Sequence, residues 1–370
     1  MTLFQKHLSL FFLITNRQSI CCLLFLFTIN IIAQHPIDAY TQYGMGMSLY
    51  DEGKYKEALY WIEQAAEQGY LQAQNSLAQC YHIGQIVDKD YTKAFYWYSK
   101  AAQQGDSQSQ CNLGVFYLKG TGVARDCSKA VYWFEKAAKN DNELAQYNLG
   151  ACYFYGDGVK ANDQMAFMWF DKAAKKGQLD SQYYLGWCYE EGRGVEKNCD
   201  KAVFWYGNAA NRGHVNAMNS LGLCYYNGIG VEQNYSYAFY WFDKAAKNDN
   251  PNSQYYLGVC YEFGNGVEKD YLSAAQWFEK AANQGHSDAQ YYLGVLYDEG
   301  NGVEQNYSKA AYWYEKAALQ GNPDAQYNLG ACYFNGDGVI KNPEKAKSLF
   351  NMAAQQGHEK AIMVLNYFKK

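Results

Sequence analysis

Residues 142–177 read NELAQYNLGACYFYGDGVKANDQMAFMWFDKAAKKG, two apolar-patterned segments separated by a glycine-rich link. In the first segment Ala145, Leu149, Cys152 and Tyr153 are spaced 4, 3 and 1, and in the second Ala166, Trp169, Phe170, Ala173 and Ala174 are spaced 3, 1, 3 and 1. Both spacings put the apolar side chains on one face of a helix. The link Gly156-Asp157-Gly158-Val159 supplies the positive φ that ends the first helix, and Val159 can tuck back against the pair. The stretch therefore predicts two antiparallel helices, the second stopping at Gly177.

The same stretch recurs along the chain with a period of 36 residues. Trp falls at 61, 97, 133, 169, 205, 241, 277 and 313, and Ala precedes each by three residues, from Ala58 to Ala310, recurring at Ala346. Leu-Gly recurs in register from Leu113-Gly114 to Leu329-Gly330, with Leu77-Ala78 as the earlier variant. The link recurs as Gly192-Arg-Gly-Val, Gly264-Asn-Gly-Val and Gly300-Asn-Gly-Val. Second helices stop at Gly177, Gly213, Gly285, Gly321 and Gly357, with Asp141 and Asp249 substituting. A fixed period of this length means a stacked-repeat architecture. The register places Trp205 in the core between helices.

Composition narrows the function. Of 370 residues, 37 are Tyr, 33 Gly and only 4 Pro, which excludes collagenous and Pro-rich disordered chains. The balance of 32 basic against 37 acidic residues, net −5, lacks the electrostatic footprint of a nucleic-acid binder. Residues 1–33 hold Lys6 and Arg17, no acid, and the apolar run from Ile20 to Ala33. They are expected to act as an export signal peptide cleaved after Ala33 or, uncleaved, as a membrane anchor. The expected location is outside the cytoplasm: periplasm, secreted space or secretory-pathway lumen. Any membrane attachment would run through that leader alone.

The pattern Ala-Gln-Tyr-x-Leu-Gly-x-Cys-Tyr-x-x-Gly-x-Gly-Val, then Lys-Ala-x-x-Trp-Phe-x-Lys-Ala-Ala-x-x-Gly, resembles the Sel1-like repeat, a relative of the tetratricopeptide repeat. Residues 325–339 with 345–357, and 289–303 with 309–321, match it most fully. The resemblance covers roughly residues 37–357. It implies an all-α fold, a right-handed α-solenoid of antiparallel helix pairs that scaffolds other proteins, with no catalysis and no cofactor. Two departures mark the ends. Residues 37–69 lack the Gly-x-Gly-Val link and look more like a tetratricopeptide unit; residues 70–357 hold eight Sel1-like repeats. Residues 358–370 begin a further first helix and end in Lys369-Lys370, a polar cap.

Tests for chemistry return little. The Gly-x-Gly links follow helices and lack the third Gly or GK[ST] of a phosphate loop. Cys80, Cys152, Cys188, Cys224, Cys260 and Cys332 share one repeat position, where Phe116 and Leu296 stand elsewhere, so they are expected to pack as small hydrophobes. Cys188 and Cys199 are the one pair placed to span the two helices of a single unit. His214, His286 and His358 follow the terminal Gly of alternate units, too far apart for a shared metal and expected to cap turns. No Gly-x-Ser-x-Gly elbow occurs.

Function is expected on the first helices. Their core stripe lies at −4, 0, +3 and +4 from the Leu, so positions −5, −2, +2, +5 and +6 lie on the opposite face. That face carries Tyr147, Tyr183, Tyr255, Tyr291 and Tyr327 at −2, Trp187, Val259 and Val295 at +2, Glu190 and Glu262 at +5, and Glu191 at +6. Asn75 and Cys111 fill −2, and Gln79 and His82 fill +2 and +5, in earlier units. An aromatic and acidic surface of this kind suits a peptide or helix of a basic partner protein. A carbohydrate or cell-wall polymer stacking on the same rings is the alternative occupant. The tyrosines at +4, Tyr81 through Tyr333, are expected to pack.

Overall fold

A computed structural model describes residues 37–367; the leader and the Lys369-Lys370 cap lie outside the described residues. The chain divides into two compact units at Ala161/Asn162. In the first, α1 (Ala39–Asp51) pairs with α2 (Tyr55–Glu67), α3 (Leu71–Ile83) with α4 (Tyr91–Gln103), and α5 (Ser107–Lys119) with α6 (Cys127–Lys139), followed by α7 (Glu143–Tyr155). The second opens with α8 (Asp163–Lys175). Four pairs follow: α9 (Leu179–Glu191) with α10 (Cys199–Asn211), α11 (Val215–Asn227) with α12 (Tyr235–Ala246), α13 (Pro251–Phe263) with α14 (Tyr271–Asn283), and α15 (Ser287–Glu299) with α16 (Tyr307–Leu319). The last pair, α17 (Pro323–Asn335) with α18 (Pro343–Gln355), is closed by α19 (Glu359–Tyr367). Within each unit every second helix also packs on the next first helix. Among the described residues there is no strand, and the expected all-α stack of helix pairs is what the chain forms. Counted from α1, odd helices up to α17 are the first helices of repeats 1–9.

Most helices open on a side chain suited to the task, the exceptions being α2 and α3, which Lys54 and Tyr70 precede without capping. Asp90, Asp126, Asn162, Asn198, Asn234, Asp270, Asn306 and Asn342 stand before second helices and accept a hydrogen bond from a backbone N–H of the first turn. Each such cap contributes about 0.5–2 kcal/mol. His214, His286 and His358 do the same for first helices, Nδ1 accepting from Ala217, Ala289 and Ala361 N–H at 3.0, 3.3 and 3.2 Å. At the other end, Gly156 closes α7 in the left-handed region at φ 80°. A Cβ on Gly158 would overlap the carbonyl of Cys127, so the second link glycine lets the loop lie on the N-terminus of the preceding second helix. Asp141 and Asp249 take the same backbone conformation as the glycines they replace, at φ 67° and 58°.

The core differs from the expected one at Trp205, while Trp169 and Trp241 of the same column are buried. The fully buried ring is the residue after each Trp: Phe134, Phe170, Tyr206, Phe242, Phe278 and Tyr314 have no exposed surface. Trp205 itself is half-buried. The reason lies in the glycine of the Leu-Gly pair: a Cβ on Gly258 would stand 2.5 Å from the Phe278 ring, and one on Gly186 2.7 Å from that of Tyr206. The ring after Trp fills the space where a side chain is missing. The +4 column is mixed, with Tyr81 buried and the later tyrosines half-buried. Cys152, Cys188, Cys224, Cys260 and Cys332 are buried free thiols, pushed up to about 12 by burial, as expected of packing residues. Cys199 is also free, so the Cys188–Cys199 bridge is not formed.

A polar clip crosses most of the repeat boundaries, although repeat 6 carries Met218 in the glutamine's place. Gln290 donates to the carbonyl of Ala282 at 3.0 Å, while Gln320, just past the second helix of the same repeat, donates to Gln290 Oε1 at 2.8 Å and to the Gly285 carbonyl at 3.0 Å. Gln74 and Gln104 repeat this against Ala66 and Gly69. In repeat 5, Arg212 stands in for the second glutamine, with Gln182 and the Gly177 carbonyl as acceptors.

Candidate interaction surface

In the second unit, the side of a first helix that faces away from its own partner helix also faces the next repeat, and the −2 rings are drawn into that contact. Tyr183 stacks on His214 with centroids 4.8 Å apart, Tyr255 on His286 at 4.7 Å and Tyr327 on His358 at 4.7 Å. Behind them lie the buried rings, Tyr206 at 5.8 Å from Tyr183 and Phe278 at 5.9 Å from Tyr255. Tyr291 tilts onto Tyr314 at 6.1 Å. His214 and His358 point Nε2 at Asp180 and Asp324, 3.4 and 3.2 Å away. Burial lowers the pKa of His214 and His286, which keeps Nδ1 unprotonated and able to cap.

At Tyr183, Tyr255, Tyr291 and Tyr327 the expected open aromatic strip is therefore a row of half-buried seals between repeats. Tyr147, Tyr183, Tyr255, Tyr291 and Tyr327 are all half-buried. Val259, 8% exposed, belongs to the core cluster around Phe278, so the sequence expectation that it contacts a partner is corrected here. Val295 packs against the core around Tyr314 and Leu329. Trp187 is half-buried beneath the Arg193 guanidinium, 5.3 Å from the ring, and Arg193 also grips Asp163 through Nε at 3.0 Å and Nη2 at 2.5 Å.

The +5 column obeys a rule invisible from the column alone. Where the buried ring is Tyr, its hydroxyl meets a polar +5 side chain: Tyr206 donates to Glu190 at 2.6 Å, Tyr314 to Asp298 at 3.2 Å, and Tyr98 meets His82 Nδ1 at 3.4 Å. Where it is Phe242, the +5 residue is Tyr226, ring on ring at 6.2 Å. Repeat 7 breaks the rule by setting Glu262 against Phe278. Glu262 Oε2 is buried with no hydrogen-bond partner. Burial first, then the Glu299 carboxylate, pushes its pKa up to about 7 against the opposing pull of Lys269. Beside it Phe263 is 57% exposed, and Glu191 occupies the same +6 position, exposed, in repeat 5.

Sequence reasoning passed over two further features. Tyr60, Tyr96, Tyr132, Phe204, Tyr240 and Tyr312, each preceding a Trp, are exposed on second helices and set edge-on to that Trp. Lys136 and Lys244 lie over the Tyr132 and Tyr240 rings, and Lys280 over that of Trp277. The Tyr-Trp column is legible in the sequence; its exposure is not. The other feature is a polar recess between α3 and α5, which holds Asn75, Gln79 and His82. Among the described residues no group of His, Cys, Asp and Glu is arranged to hold a metal ion, and no helix is long and apolar enough to cross a membrane.

A stack of short helix pairs whose first helices present Tyr, Trp and carboxylates defines a helical-repeat scaffold. The Sel1 repeat model matches nine times, at residues 39–70, 71–106, 107–142, 144–178, 179–214, 215–250, 251–286, 287–322 and 323–358, and the chain belongs to that family. Sel1 repeat proteins are generally interaction scaffolds that bind protein partners and are typically not enzymes. Two solved structures are similar over most of their length. One is c5321, a protective antigen present in uropathogenic Escherichia coli strains, with 35% identity, TM-score 0.69, and 91% of this chain and 80% of that one covered. The other is a Sel1 repeat protein from Oxalobacter formigenes, with 31% identity, TM-score 0.63, and coverage of 83% and 89%. No curated protein matches the chain significantly.

Proposed function

We propose that this chain is an exported scaffold whose first helices in repeats 5–8 receive a basic segment of a partner protein. The observation that carries this is Glu262. A carboxylate with a buried, unpaired oxygen and a second carboxylate nearby is costly in the free chain, and a Lys or Arg from a partner relieves that cost. Exposed Phe263 beside it offers an apolar anchor, and Glu191 extends the acidic face. The tyrosines at −2 act in this reading by fixing the spacing of the face, not by lying open to the ligand. Export rests on the leader, and the likeness to a protein described as a protective antigen supports it.

A photo-crosslinking amino acid placed at Phe263 or Glu191 of the full chain should capture a protein partner in the native host, while one at Tyr240 on the second-helix side should not. Changing Glu190, Glu191 and Glu262 to Gln should slow association and flatten its salt dependence. Capture from Tyr240 alone, or capture of glycans with no protein, would overturn the assignment. N-terminal sequencing of the chain recovered outside the cytoplasm tests export, and a purely cytoplasmic chain would refute it.

A further inference from the structure

The register that puts rings at Tyr183 and Tyr255 puts Asn75 in repeat 2, and a gap results. Between α3 and α5 lies a recess of about 420 Å³, within the range of ligand pockets. Its walls carry four carboxamides, Asn75 and Gln79 from α3 with Gln108 and Asn112 from α5. Tyr98, buried, and His82 line it from the side of α4 and the end of α3, and Ile83 stands at its rim. None of these side chains is charged, because burial, and then Lys89 and Lys119, hold His82 below its usual pKa.

Part of the polar capacity is engaged internally. The Ser109 hydroxyl donates to Asn75 Oδ1, and Gln108 Nε2 donates to Asn112 Oδ1 at 3.2 Å. No hydrogen bond within the described residues engages Asn75 Nδ2 or the Gln79 carboxamide. A carboxamide offers a donor and an acceptor in one plane, the complement of a peptide unit. Neither a cation nor an acid is among the residues that line the recess, Lys89 and Lys119 acting on His82 from outside that lining. A sugar ring would find no exposed aromatic face, since the ring of Tyr98 is buried.

We infer that this recess, between the first helices of repeats 2 and 3, binds the uncharged main chain of an extended peptide. The inference rests on the interaction-scaffold reading above and gives it a second location and a different chemistry. It also explains why the site occurs here. Asn75 pairs with Ser109 as Asn219 pairs with Ser253, but Asn219 is buried whereas Asn75 is not. At four other junctions the combination is Tyr with Ala, Tyr183/Ala217, Tyr255/Ala289, Tyr291/Ala325 and Tyr327/Ala361, while Cys111/Ala145 and Tyr147/Ser181 fill the remaining ones.

That recurrent combination supplies the test. A random displayed-peptide library is selected on the full chain, and recovered peptides are measured against the chain, the N75Y/S109A variant and Q79A. Filling the recess with the ring that other repeats carry should leave the melting temperature nearly unchanged. Loss of two main-chain hydrogen bonds should weaken the peptides about tenfold or more. N-methylation of one or two consecutive peptide nitrogens should match that loss, while alanine at the same positions should not. Peptides that bind both chains equally but lose affinity on E262Q would overturn the recess and leave the proposed function standing. Selection of no peptide that distinguishes the two chains overturns the recess, as does a glycan array whose hits vanish on N75Y/S109A.

Discussion

Replacing Phe278 with Tyr would give repeat 7 the hydroxyl that Tyr206 and Tyr314 use to hold Glu190 and Asp298. The folded chain keeps the Glu262 proton to about pH 7, whereas glutamates in an unfolded chain titrate near about 4.3. The folded state thus binds the proton more tightly, so this group's contribution to stability is complete below the unfolded value and is lost as pH rises through about 7. At about 1.4 kcal/mol per unit the undiscounted loss would be about 3–4 kcal/mol, and solvent screening of a partly exposed group reduces it to about 1–2 kcal/mol. A hydroxyl donated to the carboxylate removes most of that loss, so F278Y should be about 1–2 kcal/mol more stable than the parent at pH 8 and nearly equal to it at pH 4. The aromatic site already accepts Tyr in repeats 5 and 8, where the ring lies on Gly186 and Gly294 as Phe278 lies on Gly258. Urea denaturation at the two pH values measures the difference, and a carbon-13 NMR titration of the Glu262 carboxyl locates its midpoint. A pH-independent difference, or a Glu262 that still titrates near neutrality in the variant, would refute the reasoning.

Three other outcomes are expected. Tyr206→Ala should cost about 3–5 kcal/mol by emptying a fully buried site, with half-buried Trp205→Ala costing clearly less, and the extra hydrogen exchange should centre on repeats 5 and 6. Asp249→Gly should raise stability by about 0.5–1 kcal/mol by relieving a positive φ, read as a higher urea midpoint; Asp141→Gly should gain less, since Asp141 Oδ1 accepts from Gln146 at 3.2 Å. The His214 cap is present above the unfolded histidine pKa of about 6.5 and is lost as pH falls below it toward the lowered folded value. His214→Asn, which caps without titrating, should flatten the fall in thermal stability between pH 7 and pH 5.

The fold was legible because its signal is repeated: Leu-Gly, Trp and Gly-x-Gly-Val return in register, and each copy constrains the same helix pair. The capping role of His214, His286 and His358 was legible for a local reason, since a cap depends on its position beside a terminal Gly. What could not be read was which side of a half-apolar helix meets the next repeat. Helical periodicity fixes angles around one axis; the packing of Tyr255 on His286 depends on a neighbour 31 residues away. Trp205 misled for a similar reason, although Trp169 and Trp241 are buried as the spacing implies. Trp is the largest side chain, yet the space left by Gly258 belongs to the next residue, Phe278. Glu262 was picked out by position and charge, but what sets it apart, a Phe where repeats 5 and 8 have Tyr, needed the contact between the two helices.

The glutamine clips bear on how such a chain changes length. Both partners of the clip, Gln290 and Gln320, lie in one repeat, and what they grasp on the preceding one is main-chain oxygen, at Ala282 and Gly285. A docking rule written against carbonyls asks nothing of the predecessor's side chains. Tandem duplication or excision of a whole 36-residue unit that carries the clip therefore re-forms this contact at the new boundary without compensating substitutions, and the extent of the protein can drift in steps of one repeat. The recess at Asn75 obeys no such rule, because its chemistry is written in side chains that only one junction possesses. Lineages that gain or lose repeats would lengthen or shorten the stack freely while inheriting that junction intact or losing it entire.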